Sequence, residues 1–334
     1  MKVFFADEHC GEYGGLAHGI KNRVLAAKAA GIHVEYGEYD DALSRMSDGY
    51  ILHCSNFVHW DSFIRKNPHA LNMPHIVELH GWYLPAIDPE QGVFKEDVAI
   101  MLESVPALLT TSMAVRGAIG FGRHLHNSVY PEVCPPRESR TSGIVSVMNI
   151  SRWKGIDRVL SIADKERVSV IGKEMNDKYN DGRLYIDRVH AEANFLGELG
   201  HEDVIAVLKK HEIFFAPSRL ESCSLTVLEA MSCGTPVIAT DAGDNREMIG
   251  DAGIIVDGDD REEILVAVDR IRNDWDRFHG NCIERSVEFS HKSIGKKLLS
   301  VYQHASDNWR SLIADQGHMS LRLQWIKKNK PEIC

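Results

Sequence analysis

The chain has no long apolar run. No window of its 334 residues approaches the ~18 uninterrupted apolar residues that a membrane-spanning helix needs, and the start, MKVFFADEHC, turns acidic after five residues where a secretory signal would stay apolar. The expectation is a cytoplasmic protein. Paired cysteines are also missing. Seven cysteines are scattered along the chain, an odd number with no close CxxC pair, so neither a disulfide framework nor a zinc site is indicated and reduced, mostly buried thiols are expected. Basic runs are absent too. Residues 1–135 hold ten Lys or Arg against sixteen Asp or Glu, and the whole chain carries a formal charge of −10, which repels polyanions and weighs against a nucleic-acid partner. There is no GxGxxG fingerprint, which leaves a hydride-transfer cofactor poorly supported, and no solenoid repeat or low-complexity tract.

What is present is an alternation. Short β-rich runs (KVFFAD, HVEYGEY, GYILHCS, HIVELHG, ALLTTS) are separated by helical or loop segments, and the first helix, GGLAHGIKNRVLAAKAAG, places Leu16, Ile20, Val24 and Ala27 at helical spacing and stops at Gly31. A second series (IVSVMNI, VSVIG, ANFLG, IFFAPS, PVIATD, GIIVDG) alternates with GIDRVLSIADK, EDVIAVLKKH and REEILVAVDRIRND. Between them YPEVCPPRESRTSG, Tyr130 to Gly143, carries three prolines and two arginines and reads as a linker. Strands alternating with helices imply right-handed βαβ units and parallel sheets. Two doubly wound α/β domains are therefore expected, residues 1–135 and 141–300, facing across a cleft. Residues 301–334 form a helical tail that could pack back on the N-terminal domain.

In such sheets ligands lie beyond the carboxyl ends of strands. Four motifs fall there. Gly14 and Gly15 follow the first strand and allow close backbone approach to an anion, or simply a tight turn. His80 ends HIVELHGWY, where an imidazole could polarise a hydroxyl or serve structure alone; His53 in DGYILHCSNF sits in a parallel position. In NISRWKGIDRVL, Arg152 and Lys154 precede a helix start, a poor place for cations unless an anion binds or solvent screens them. In SRLESCSLTVLEAMSCGTPVIATDAG, the amides of Ser224 and Leu225 open a helix and can hold a phosphate, and Glu221 and Glu229 stand eight positions apart. Glu229 lies about 7 Å along that helix, the reach from a diphosphate to a ribose diol, which a carboxylate can accept.

This last stretch resembles the signature of retaining glycosyltransferases of family four, which have the GT-B architecture of two Rossmann-like domains. The E-x7-E spacing, EAMSCGTPVIATDAG, RWKG, GG after the first strand and the His-Gly pair occur in the family's order over residues 3–303. The resemblance implies transfer of a sugar, with retention, from a UDP-, GDP- or ADP-linked donor to an acceptor hydroxyl, with no metal and no cofactor beyond the donor. It implies Glu221 near the donor sugar, Glu229 on the ribose, Arg152, Lys154 and the Ser224 and Leu225 amides on the diphosphate, Gly14 and Gly15 in the loop over the donor, and His80 near the transferred sugar. His53 and Trp82 are expected on the acceptor side. The acceptor stays open: a glycan, a lipid-linked sugar at a membrane surface, to which the basic WIKKNK could contribute, a small molecule, or a modified DNA base. A phosphorylase or nucleotide-sugar epimerase is the alternative within the architecture. Four features depart from the family pattern: the close spacing of Arg152 and Lys154, ESCS in place of Glu-Gly-Phe-Gly, Asp244 in place of a second glycine, and a short N-terminal domain, which implies a more open acceptor site.

Overall fold

The computed structural model describes residues 1–6, 15–55, 57–80, 107–119, 122–177 and 180–314. Gly14, Trp82 and the basic WIKKNK segment lie outside the described residues.

The chain forms two compact units, residues 1–128 together with the chain from His291 onward, and residues 129–290. Unit 1 is built on six parallel strands, β1 (Lys2–Ala6), β2 (His33–Gly37), β3 (Ile51–Cys54), β4 (His75–Leu79), β5 (Ala107–Thr110) and β6 (Arg123–His124), in the order β2-β1-β3-β4-β5-β6. Side chains alternate across it, as the period of two requires. Val3 and Phe5 enter one buried cluster while Phe4 and Ala6 enter the other. All the strands read from apolar runs are present; β6 was missed because its two residues, Arg and His, carry no strand signal.

Unit 2 holds β7 (Thr141–Val147), β8 (Val168–Ile171), a hairpin of β9 (Asn176–Asp177) and β10 (Asn180–Asp181), β11 (Asn194–Gly197), β12 (His211–Ala216), β13 (Val237–Thr240) and β14 (Gly253–Val256). Its main sheet is parallel, ordered β11-β8-β7-β12-β13-β14. The order reverses at β7, between β8 and β12. The loops after β7 and β12 therefore meet at the switch point, where open α/β sheets bind ligands.

The units depart from the expected domain ranges in two ways. The helix His291–Ala314 starts inside the range given to the second domain yet belongs to unit 1. Its Ile294, Leu298, Val301, Tyr302 and Ala305 are buried with Ala26 and Ala27 of the helix Gly15–Ala29. Gly295 allows this approach, since a Cβ there would sit 2.1 Å from the Ala26 carbonyl oxygen. The linker reading of Tyr130–Gly143 also fails in part. Arg140 donates to the Cys233, His211 and Thr235 oxygens at 2.7, 3.0 and 2.8 Å and lies 5.2 Å from the Trp275 ring, so an arginine that read as loop polarity pins the segment to unit 2.

Candidate functional site

Glycine shapes the switch point of unit 2. Gly155 caps the helix Ile156–Ser161 with φ +82°, and a Cβ there would meet the Pro217 carbonyl oxygen at 2.2 Å, so only glycine lets the turn after β7 close against the end of β12. Gly243, at φ +57°, plays the same part after β13. Its Cβ would lie 2.3 Å from the Ser222 carbonyl, which accepts from the Asp244 amide at 3.0 Å.

These close approaches bring Lys154 and Glu221 together. Lys154 Nζ donates to Glu221 Oε1 at 2.7 Å, and Ser218 Oγ donates to the same oxygen at 2.8 Å. Neither member is sealed off: the side chains are 28% and 15% exposed. Beside them Ser224 caps the helix Leu225–Ser232 without using its own side chain on the helix amides. The first turn thus presents backbone N–H groups that the helix itself does not satisfy. A cation, a carboxylate and a helix N-terminus converge at one strand switch.

The arrangement sorts the other expected residues. Arg152 is exposed; its amide donates to Asp181 Oδ1 at 2.8 Å and its carbonyl accepts from Arg219 at 2.7 Å, so its backbone is held while its guanidinium does not join the Lys154–Glu221 pair. Glu229 is almost buried, with Oε1 3.0 Å from His201 Nε2 on the neighbouring helix His201–Lys210. Sequence reasoning missed His201, which stands just before EDVIAVLKKH, because no local pattern ties it to a glutamate 28 positions on. The thiol in ESCS points inward, whereas the sequence reading puts it in a ligand-binding loop. Cys223 is buried in the core, its sulfur 3.5 Å from that of Met248.

A second polar cluster lies in unit 1. His80, at the end of β4, has a nearly buried side chain, and its Nε2 is 3.5 Å from Glu78 Oε2. Its Nδ1 would be 3.3 Å from a Cβ on Gly19, so the small residue lets the first helix cross the ring. Gly15 opens that helix. Glu78, a residue the sequence reading passed over inside an apolar strand, is fully buried. Arg23 Nε lies 2.9 and 3.1 Å from its two oxygens; Nη2 contacts Oε1 and donates to the Leu125 carbonyl at 3.0 Å, and Nη1 donates to the His126 carbonyl at 3.0 Å. Burial alone would raise the Glu78 pKa. The Arg23 guanidinium, His80 and the hydrogen bonds outweigh it and hold the carboxyl well below the usual range.

His53 belongs to this cluster and not to an acceptor surface, which corrects the expectation. It is 0% exposed, stacked on Phe5, with Nε2 2.9 Å from Glu78 and Nδ1 2.6 Å from the Tyr302 hydroxyl. Burial lowers its pKa despite Glu78, and burial raises that of Tyr302. The tautomer follows. An ionised Glu78 only accepts, so Nε2 carries the proton and the Tyr302 hydroxyl donates to Nδ1.

Comparison with known proteins follows the same division. Residues 137–288, nearly all of unit 2, match the family Glycosyl transferases group 1. Among curated relatives, the GDP-mannose-dependent alpha-mannosyltransferase of Mycolicibacterium smegmatis is 27% identical over 217 residues, 54% of this chain and 57% of the relative. The first curated relatives are matched over 16 to 57% of their own length. Sucrose-phosphate synthase from Thermosynechococcus elongatus superposes with a TM-score of 0.71 at 18% identity, covering 90% of this chain and 98% of that one. HepE from Anabaena, in complex with UDP and glucose, gives 0.68 at 14% identity over 91% and 99%. The fold is α/β of the GT-B class, with two Rossmann-like units.

Proposed function

We propose that the chain is a glycosyltransferase that moves a sugar from a nucleoside-diphosphate donor to an acceptor hydroxyl, with retention of configuration. The observation that carries this reading is the meeting of Lys154 and Glu221, 67 positions apart, beside the start of the helix Leu225–Ser232. A diphosphate leaving group gains negative charge as the glycosidic bond breaks, and Lys154 with the Ser224 and Leu225 amides supplies fixed positive charge for it. The reading needs no metal at this site and no cofactor besides the donor. Bound phosphate would share Lys154 with Glu221, whose freed oxygen then faces the sugar. Glu229, oriented by His201, takes the ribose diol, and Arg152, exposed beside the pair, serves the diphosphate. His80 of unit 1 is the remaining catalytic candidate.

The reading draws support from relatives that are named for GDP-mannose and from a structural neighbour holding UDP and glucose. Uridine- and guanosine-linked donors are accordingly the first to test. The route is a same-face attack in which the leaving phosphate helps to deprotonate the acceptor. Double displacement would need two carboxylates flanking the anomeric carbon, and Glu229 is assigned to the ribose. Product analysis by NMR tests the stereochemistry. An α-linked donor is expected to give an α-linked product, and a β-linked product overturns the retaining assignment.

A further inference from the structure

Unit 1 contains a surface cavity of about 470 Å³ at the open edge of its sheet, outside every motif discussed above. Three elements form it. The helix Met113–Ile119 contributes Arg116, the edge strand β6 contributes Arg123 and His124, and the helix His291–Ala314 contributes Lys297 and Ser300, three positions apart and so on one face. Gly122 and the buried Leu125 and Val301 complete the described lining. Among the described residues no carboxylate lines it, in a chain whose formal charge is −10. Arg123 and Lys297 are exposed and have no ion-pair partner among the described residues. Arg116 is oriented by a 2.9 Å bond from Nε to the Gly122 carbonyl, which leaves four of its five N–H groups unused by that bond.

Three like charges around one hollow repel one another. The cavity beside β14 shows the contrast: there Arg246 bonds Asp241 and Arg277 bonds Asp274. Around the first cavity the three cations face no acid among its described lining residues. We infer that it binds a phosphate monoester group, with Arg116 and Arg123 as guanidinium forks, Lys297 as a point charge and Ser300 as a hydroxyl donor. A phosphate monoester carries about −1.5 to −2 charges at pH 7 and three acceptor oxygens, which matches three cations better than a singly charged carboxylate does. The group can come from a soluble phosphorylated compound or from a lipid head group. The inference is independent of the reading of unit 2.

The test uses the full chain carrying Lys154→Ala, so that phosphate binding at the switch point of unit 2 does not contribute. Equilibrium dialysis against labelled inorganic phosphate, and co-sedimentation with phosphatidylcholine vesicles with and without phosphatidic acid, are run in parallel. Retention of phosphate or of phosphatidic-acid vesicles is expected, and adding Arg123→Ala and Lys297→Ala should weaken it at least tenfold. Because both residues are exposed, an unchanged melting curve shows that the fold is intact. Vesicle binding that depends on these two residues identifies a head group, and phosphate binding alone identifies a soluble ligand. Retention of neither probe, or retention that the two substitutions leave unchanged, overturns the inference.

Discussion

Each unit holds a carboxylate paired with a cation near the carboxyl end of its sheet, yet the two pairs differ in what they have left to offer. Glu78 is fully buried, gripped by Arg23 and bonded by His53, which is itself fixed by Tyr302. Glu221 and Lys154 form a pair that solvent reaches, beside an open helix start. A satisfied, dry pair holds structure, and a pair with exchangeable partners can hold a ligand. His80 stands between the cases, touching the first cluster while ending its strand.

The comparison breaks most sharply with Arg23→Ala. It removes the guanidinium that balances Glu78 in the core, leaving only its histidine contacts, and should cost about 3–5 kcal/mol in urea unfolding, whereas Lys154→Ala should cost less than about 1 kcal/mol. Equal losses would erase the distinction. For activity the order reverses. Lys154→Ala should lower kcat/KM by about a hundredfold or more, roughly 3 kcal/mol of transition-state stabilisation, measured with the best donor. Glu229→Ala should raise the donor KM about tenfold with a smaller change in kcat, as loss of ribose binding does; an unchanged KM removes Glu229 from the ribose.

The gentlest effect is on pH dependence. Burial depresses the His53 pKa, so as pH falls below about 6.5 the unfolded chain takes up the proton first and stability is lost. Glu78 is likewise depressed, and its contribution fades only in stronger acid. The melting temperature should therefore drop between pH 7 and pH 5, with a shallower slope in His53→Gln. An unchanged slope would mean that His53 is not the group responsible.

Most of the fold was legible because eleven sheet strands announce themselves as apolar runs bounded by turn residues, and because Gly31, Gly155 and Gly243 punctuate the chain where backbone geometry demands it. The stretch from Ser218 to Gly243 stood out for the same reason: its spacing is local. What escaped is long-range. Glu78 hides in an apolar strand because its partner Arg23 is 55 positions away, and His53 looked like a ligand because Tyr302, 249 positions on, is invisible to any local pattern. Ser222-Cys223-Ser224, odd as a donor loop, becomes ordinary once the thiol is seen to face Met248.

The central claim is that unit 2 binds and activates a nucleoside-diphosphate sugar through Lys154. Incubating the full chain with a panel of UDP-, GDP- and ADP-sugars and following nucleoside-diphosphate release by mass spectrometry tests it most directly. At least one donor should be turned over by the native chain, and that turnover should be lost in Lys154→Ala while the melting temperature holds. Turnover that survives Lys154→Ala undiminished, or no binding and no turnover of any donor, would contradict it.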